Sequence, residues 1–136
     1  MDINVDFDGT CVTHNFPYVG TDIGSIPVLK KLIAKGHKLI LFTMRSNFPF
    51  KKENGDIDIN GLNDAVSWFK KNDIPLYGIQ SNPTQTRWTS SVKSYAHLMI
   101  DDSALGCPLI LDTKVSNRPF VNWVKIEEML IERGIL

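Results

Sequence analysis

The stretch Asp2-Ile3-Asn4-Val5-Asp6-Phe7-Asp8-Gly9-Thr10 decides how the chain is read. Ile3, Val5 and Phe7 alternate with Asp2, Asn4, Asp6 and Asp8, the period of two that sends successive side chains to opposite faces of a strand. The run stops at Asp8-Gly9, where glycine permits a tight turn. Taken alone, this is a strand with one polar face. Asn4 lies on the same side as Asp6, so a strand covered on both faces must give it hydrogen-bond partners.

Outward from this strand, β-type and helical patterns alternate. After a loop over residues 10–24, a helix fits Ile26 to Lys35, with Ser25 as N-cap, Pro27 in the first turn and Gly36 closing it. Val28, Leu29, Leu32 and Ile33 keep helical spacing. A second strand runs from Lys38 to Thr43, and the unbroken Leu39-Ile40-Leu41-Phe42 suits a strand covered on both faces. Residues 44–58 read as a polar loop. A helix starting at Asn60 or Asn63 runs to about Lys71, with Leu62, Ala65, Val66 and Phe69 inward. Ile74 to Ile79 is a third strand, residues 80–92 a second polar loop, and His97 to Ile100 a fourth strand ending at Asp101-Asp102. Leu109 to Leu111 is a short fifth strand. Asn122 caps a last helix, Trp123 to Arg133, closed by Gly134. Such alternation predicts an α/β layer fold with a mostly parallel sheet.

The composition agrees with one globular domain over residues 1–136. Hydrophobic residues are 43% and charged residues 22%, and 15 basic residues balance 15 acidic ones. No basic excess points to a long polynucleotide or an anionic membrane. Cys11 and Cys107 form neither a disulfide framework nor a CxxC pair. The first residues show no signal-peptide pattern, and the longest apolar run, Leu39 to Phe42, is far short of a membrane span. The expectation is a cytoplasmic protein in a reducing compartment.

Parallel strands place their C-terminal ends on one edge, where such folds bind ligands. Three strand ends there turn polar abruptly: Asp6 and Asp8, Thr43, and Asp101 with Asp102. Carboxylates meeting from two strands repel in a partly desolvated cleft, and a divalent cation relieves that cost. Hard oxygen ligands favour Mg²⁺, which commonly adds a substrate phosphate. Thr43 offers a hydroxyl, and Lys93, just before the fourth strand, can neutralise a phosphoryl oxygen. An aspartate can attack phosphorus, and a second one can protonate the leaving oxygen and then activate water.

These residues resemble a known family. Asp6-Phe7-Asp8-Gly9-Thr10 after Ile3-Asn4-Val5 looks like the first motif of the haloacid dehalogenase-like (HAD) phosphohydrolases. Leu41-Phe42-Thr43 is similar to the second motif. Lys93 and Leu98-Met99-Ile100-Asp101-Asp102 resemble the third and fourth. The four occur in family order across residues 3 to 102. The resemblance implies a three-layer Rossmann-like core with a sheet of about five strands. It also implies a phosphatase that hydrolyses a phosphate monoester through an aspartyl-phosphate. Asp6 would be nucleophile and Mg²⁺ ligand, and Asp8 general acid/base with its backbone carbonyl on the metal. Gly9, Thr43 and Lys93 would surround the phosphate. Asp101 and Asp102 would complete the metal site, with Asp102 alternatively orienting Lys93. The presence of Asp8 favours phosphate-ester hydrolysis over the dehalogenase chemistry of relatives lacking it. Receiver domains share Asp, Thr, Lys and Mg²⁺, but there the phosphoacceptor ends the third strand, and here the acids come first.

Little chain is left for a cap domain, so the expectation is a capless or minimally capped site. Such a site accepts a small phosphorylated substrate, a nucleotide among the candidates, and leaves a nucleic-acid or protein substrate open. The loops at 44–58 and 80–92 or a second subunit of a homo-oligomer could cover it. The rival reading is a non-catalytic nucleotide- or phosphate-binding or partner-docking module that retains the metal site. Plainer roles compete residue by residue: Thr43 closes a strand, Lys93 is an exposed lysine, and Asp101-Asp102 caps a turn. Arg45 binds a substrate phosphate or makes a surface salt bridge, and His14 is exposed or contacts substrate. In the 81–89 loop, Trp88 either stacks a base or covers the end of the sheet.

Overall fold

A computed structural model describes residues 1–136. Four parallel strands form the central sheet: β1 (Asp2–Val5), β2 (Lys38–Leu41), β5 (Leu76–Ile79) and β6 (Leu98–Ile100). Their spatial order is β5-β2-β1-β6. The chain steps outward from β1 to β2 to β5, then returns to the other side of β1. The direction of winding therefore reverses beside β1, the position at which open α/β sheets bind ligands at the C-terminal strand ends.

Three helices accompany the sheet: α1 (Ser25–Ala34), α2 (Gly61–Lys71) and α3 (Trp123–Glu132). Ile3, Val5, Phe7, Leu39, Leu41 and Ile100 from the strand regions share one buried cluster with Val28, Leu29 and Leu32 of α1, Ala65 and Phe69 of α2, and Trp123, Ile126 and Leu130 of α3. Each large aliphatic or aromatic side chain buried there stabilises the fold by about 1.5–3 kcal/mol. By strand alternation, the helices cover the face that carries the odd-numbered residues of β1.

The opposite face is covered differently from expectation. Asn4 and Ile40 point there, and both are buried. No α-helix lies over them; the segment between β5 and β6, with one 3₁₀ turn at Gln85–Arg87, does. Ser94 Oγ donates to Asn4 Oδ1 at 3.0 Å, and Asn4 Nδ2 donates to the Ser94 carbonyl at 3.2 Å. Asn82 Nδ2 donates to Asp2 Oδ2 at 2.8 Å. Gly78 has room for nothing larger, because a Cβ would sit 2.4 Å from the Ser81 carbonyl oxygen. Gln85 ties the segment together: Oε1 accepts from the Asn82 and Tyr95 amides, and Nε2 donates to the carbonyls of Ser91 and Lys93. The amides of this loop are thus spent on its own folding. Trp88, 62% exposed and edge-on to Tyr95, lies on the outer side of this segment.

Other departures are local. The sheet has four strands, not five: Leu109–Ile110 (β7) pairs antiparallel with Phe120–Val121 (β8) in a separate ribbon. The expected 44–58 loop contains a small hairpin, Phe50–Lys51 (β3) with Ile57–Asp58 (β4). Ser25 opens α1 rather than capping it. The Asp22 carboxylate takes that role, accepting from the amides of Gly24, Ser25 and Ile26, and its charge suits a helix N-terminus. Asn122 caps α3 as expected, with Oδ1 accepting from the Lys125 amide. Cys11 and Cys107 are free thiols. No helix is long and apolar enough to cross a membrane.

Candidate metal and phosphate site

The β1 and β2 chains run past their last ladder residues toward the same edge. The Asp6 amide donates to the Ile100 carbonyl and the Phe42 amide to the Val5 carbonyl, at 3.0 and 2.9 Å. Asp6 is thereby held beside the end of β6, where Asp101 and Asp102 follow. One carboxylate oxygen from each of Asp6, Asp101 and Asp102 lies within 4.8 Å of the other two. No lysine or arginine pairs with any of these three acids.

The Asp6 carboxyl is pushed up from 3.8 to about 7. Burial is the largest cause, and the charges of Asp101, Asp102 and Asp8 add to it, against a backbone hydrogen bond at Phe7. Three convergent hard oxygens suit Mg²⁺ as a ligand set, so the residues present fit the metal that the resemblance implies.

Thr10 and Gly9 set the local geometry. Thr10 Oγ1 donates to Asp6 Oδ2 at 3.3 Å and accepts from the Asp102 amide at 3.0 Å, so one hydroxyl bridges the two strand ends. Trp123 Nε1 donates to the Thr10 carbonyl, anchoring the start of α3 beneath the site. Gly9 has φ +79°, and a Cβ there would sit 2.1 Å from His14 Nε2 and 2.5 Å from Asp102 Oδ2. His14 is neither exposed nor free: its Nε2 lies 2.9 Å from Asp102 Oδ2. Asp102 thus pairs with His14, not with Lys93 as one expectation had it. Asp101 Oδ1 accepts from the Ser103 amide and hydroxyl.

Asp8 and Arg45 belong together, which corrects both readings of Arg45. The guanidinium is 2% exposed and is no surface ion pair. Nε and Nη2 donate to the two Asp8 oxygens, Nη2 also to the Tyr18 carbonyl, and Nη1 to the carbonyls of Pro17 and Gly61. All five N–H donors are engaged within the protein, so none is left for a substrate phosphate. Asp8 stands beside the three-carboxylate cluster with its side chain committed to Arg45, and its carboxylate is not among the three that converge.

Thr43 sits where β2 leaves the sheet. Its Oγ1 accepts from the Arg45 amide at 3.2 Å, which leaves the hydroxyl proton free to donate. Gln80, which no sequence signal singles out, holds this turn from the end of β5: Oε1 accepts from the Thr43 amide, and Nε2 donates to the carbonyls of Thr43 and Arg45. Lys93 is exposed, and its amide donates to Ser91 Oγ. It adjoins Ser94, which grips Asn4 two residues before Asp6 on the same strand face, but it makes no ion pair with the acids.

A solved structure described as a conserved protein coded by a locus from Bacteroides thetaiotaomicron matches the chain with a TM-score of 0.71 and 30% identity, covering 98% of this chain and 91% of its own. No family model and no curated protein matches. With that identity maintained over nearly the full length of both chains, this protein belongs to the same family as the conserved Bacteroides protein.

Proposed function

We propose that the chain is a Mg²⁺-dependent, HAD-like phosphohydrolase acting through an aspartyl-phosphate on Asp6. The observation that carries this reading is the convergence of Asp6, Asp101 and Asp102 at adjacent strand ends, with the Asp6 carboxyl raised to about 7. The strand order around β1 fits a Rossmann-like core of this kind. Bound Mg²⁺ would neutralise the acids and draw charge from a phosphoryl oxygen.

The chain's own residues supply the rest. In the first step an Asp6 carboxylate oxygen attacks phosphorus, the P–O ester bond breaks, and the leaving oxygen takes a proton from Asp8, which must first free one oxygen from the Arg45 fork and bind that proton. In the second step Asp8 takes a proton from water, whose oxygen attacks phosphorus and releases inorganic phosphate from Asp6. Thr43 donates its free hydroxyl proton to a phosphoryl oxygen, and Gly9 keeps the backbone close to it. Lys93 reaches the phosphate from the loop over the Asn4 face. Arg45 holds the Asp8 carboxylate in one orientation and stays away from the substrate.

The experiment is turnover of an aryl phosphate in Mg²⁺ by the wild type and by Asp6→Asn. Wild-type turnover that disappears in the variant, with an unchanged circular dichroism spectrum, supports the mechanism; persistence in Asp6→Asn overturns it. One observation favours a second reading, a module that holds a cation and a phosphate without turnover: Lys93 pairs with none of the acids. Mg²⁺-dependent phosphate binding without hydrolysis across a broad panel of phosphate esters selects that reading.

A further inference from the structure

Gln80 occupies a conformation that its residue type does not favour. Its φ is +62°, in the left-handed region, which costs a residue with a Cβ of order 1 kcal/mol. Sequence pattern and core packing give no reason for it, since the side chain leaves the sheet and enters no apolar cluster. The gain lies in its bonds. The Gln80 amide still donates to the Leu41 carbonyl at 2.7 Å, extending the β2–β5 ladder by one rung. The left-handed turn then swings the side chain across the end of β2. Oε1 meets the Thr43 N–H at 3.0 Å, and Nε2 meets the Thr43 and Arg45 carbonyls at 2.7 and 2.9 Å. One carboxamide replaces the ladder that β2 would need at residues 43–45, and the donor and acceptor types of its partners fix which way it points.

The 43–45 turn carries two groups with different duties. The Thr43 hydroxyl projects from it, and the Arg45 side chain leaves it to grip both oxygens of Asp8. The turn closes on itself through the Arg45 amide and Thr43 Oγ1. A shift of this backbone moves the phosphate donor and the orientation of Asp8 together. Nothing else between β5 and the turn holds it with as many bonds.

We infer that Gln80 is a positioning residue that sets Thr43 and, through Arg45, Asp8. The inference rests on the phosphohydrolase reading above. Displacing reacting groups by an ångström can lower rates about a hundredfold. A purely structural role would make activity follow stability, so the two must be separated.

The test uses Gln80→Gly, Gln80→Glu and Gln80→Ala of the full chain. Kinetics with an aryl phosphate in Mg²⁺, inhibition by inorganic phosphate, and Tm are measured for each. Gln80→Ala removes the brace and keeps the backbone strain, whereas Gln80→Gly removes both and so loses less Tm than Gln80→Ala. The kcat of Gln80→Gly is expected to fall about 10- to 100-fold, with weaker inhibition by phosphate. Gln80→Glu keeps size and the Thr43 acceptor but turns an oxygen toward two carbonyls, and its kcat falls as well. Wild-type kcat and phosphate inhibition in both Gln80→Gly and Gln80→Glu overturn the inference while leaving the phosphohydrolase reading intact. Rates that follow Tm across the three variants also overturn it, in favour of a structural role. A wild type that turns over no phosphate ester defeats the underlying reading instead, and the positioning role falls with it.

Discussion

The Asp8 carboxylate and the Arg45 guanidinium meet as a two-bond fork, 2.6 Å from Nε to Oδ2 and 2.8 Å from Nη2 to Oδ1. The guanidinium lies 5.1 Å from the ring centroids of both Phe7 and Phe16. Its other bonds reach the carbonyls of Pro17, Tyr18 and Gly61, so a single side chain joins the first motif, the loop after it and the start of α2.

Removing one partner of a buried, hydrogen-bonded ion pair costs about 3–5 kcal/mol, because the other is left uncompensated. Arg45→Met is expected to lose about that much in urea unfolding, since Asp8 and three carbonyls lose their donors together. Arg45→Lys keeps the charge without the fork and should fall between the two. A loss below about 1 kcal/mol for Arg45→Met would contradict the packing described here.

Asp6 gives the metal-free protein a definite pH dependence. Its carboxyl titrates near 3.8 unfolded and near 7 folded. Between those values the folded state holds a proton that the unfolded state has released, so stability falls as pH rises from about 4 to 7 and levels off above. Asp6→Asn removes this slope and is expected to raise the Tm of metal-free protein at pH 8. Thermal melts of both proteins from pH 4 to 8 in EDTA check this, and equal slopes would contradict it.

Mg²⁺ and the Asp6 proton compete for the same carboxylate. The Tm increase on adding Mg²⁺ should therefore be larger at pH 8 than at pH 5.5, and small at either pH in Asp6→Asn. Calorimetric titration of the metal at the two pH values provides an independent reading. Equal affinity at both would argue against Asp6 as a ligand.

Gly9→Ala meets two obstacles, a φ of +79° and a Cβ 2.1 Å from His14 Nε2. His14 must leave Asp102, or the turn must move. The expected result is a destabilisation of about 1–2 kcal/mol from the backbone alone, with weaker Mg²⁺ binding as Asp102 shifts. Wild-type stability and metal affinity would refute this account of the turn.

Asn4 and Ser94 exchange two hydrogen bonds that fasten the loop to the face of the sheet that no α-helix covers. Asn4→Ala leaves Ser94 without those partners and is expected to cost about 1–3 kcal/mol. Amide exchange over residues 82–95 should speed up more than exchange in α1. Uniform acceleration would mean that the loop is not held at this point.

What could be read without coordinates is local in origin. The alternation in β1, the helical spacing of Val28, Leu29 and Leu32, and the Asn122 cap each depend on neighbours within a few residues. The meeting of Asp6 with Asp101 and Asp102 was also legible, because parallel strands put their C-terminal ends on one edge. The β3–β4 hairpin escaped notice because two-residue strands show no periodicity. Leu109 to Leu111 reads as a strand, but its partner, Phe120–Val121, is set by pairing and not by its own residues.

The sequence by itself determined the α/β alternation and the carboxylates at the strand ends, since side-chain period and backbone preference act over short range. Tertiary structure alone decided the rest. It spent Arg45 on Asp8, bent Gln80 over Thr43, paired His14 with Asp102, and laid a loop where a third layer was expected. Each of these depends on polar groups distant along the chain finding partners once burial has removed water, and no local pattern records which partners those are.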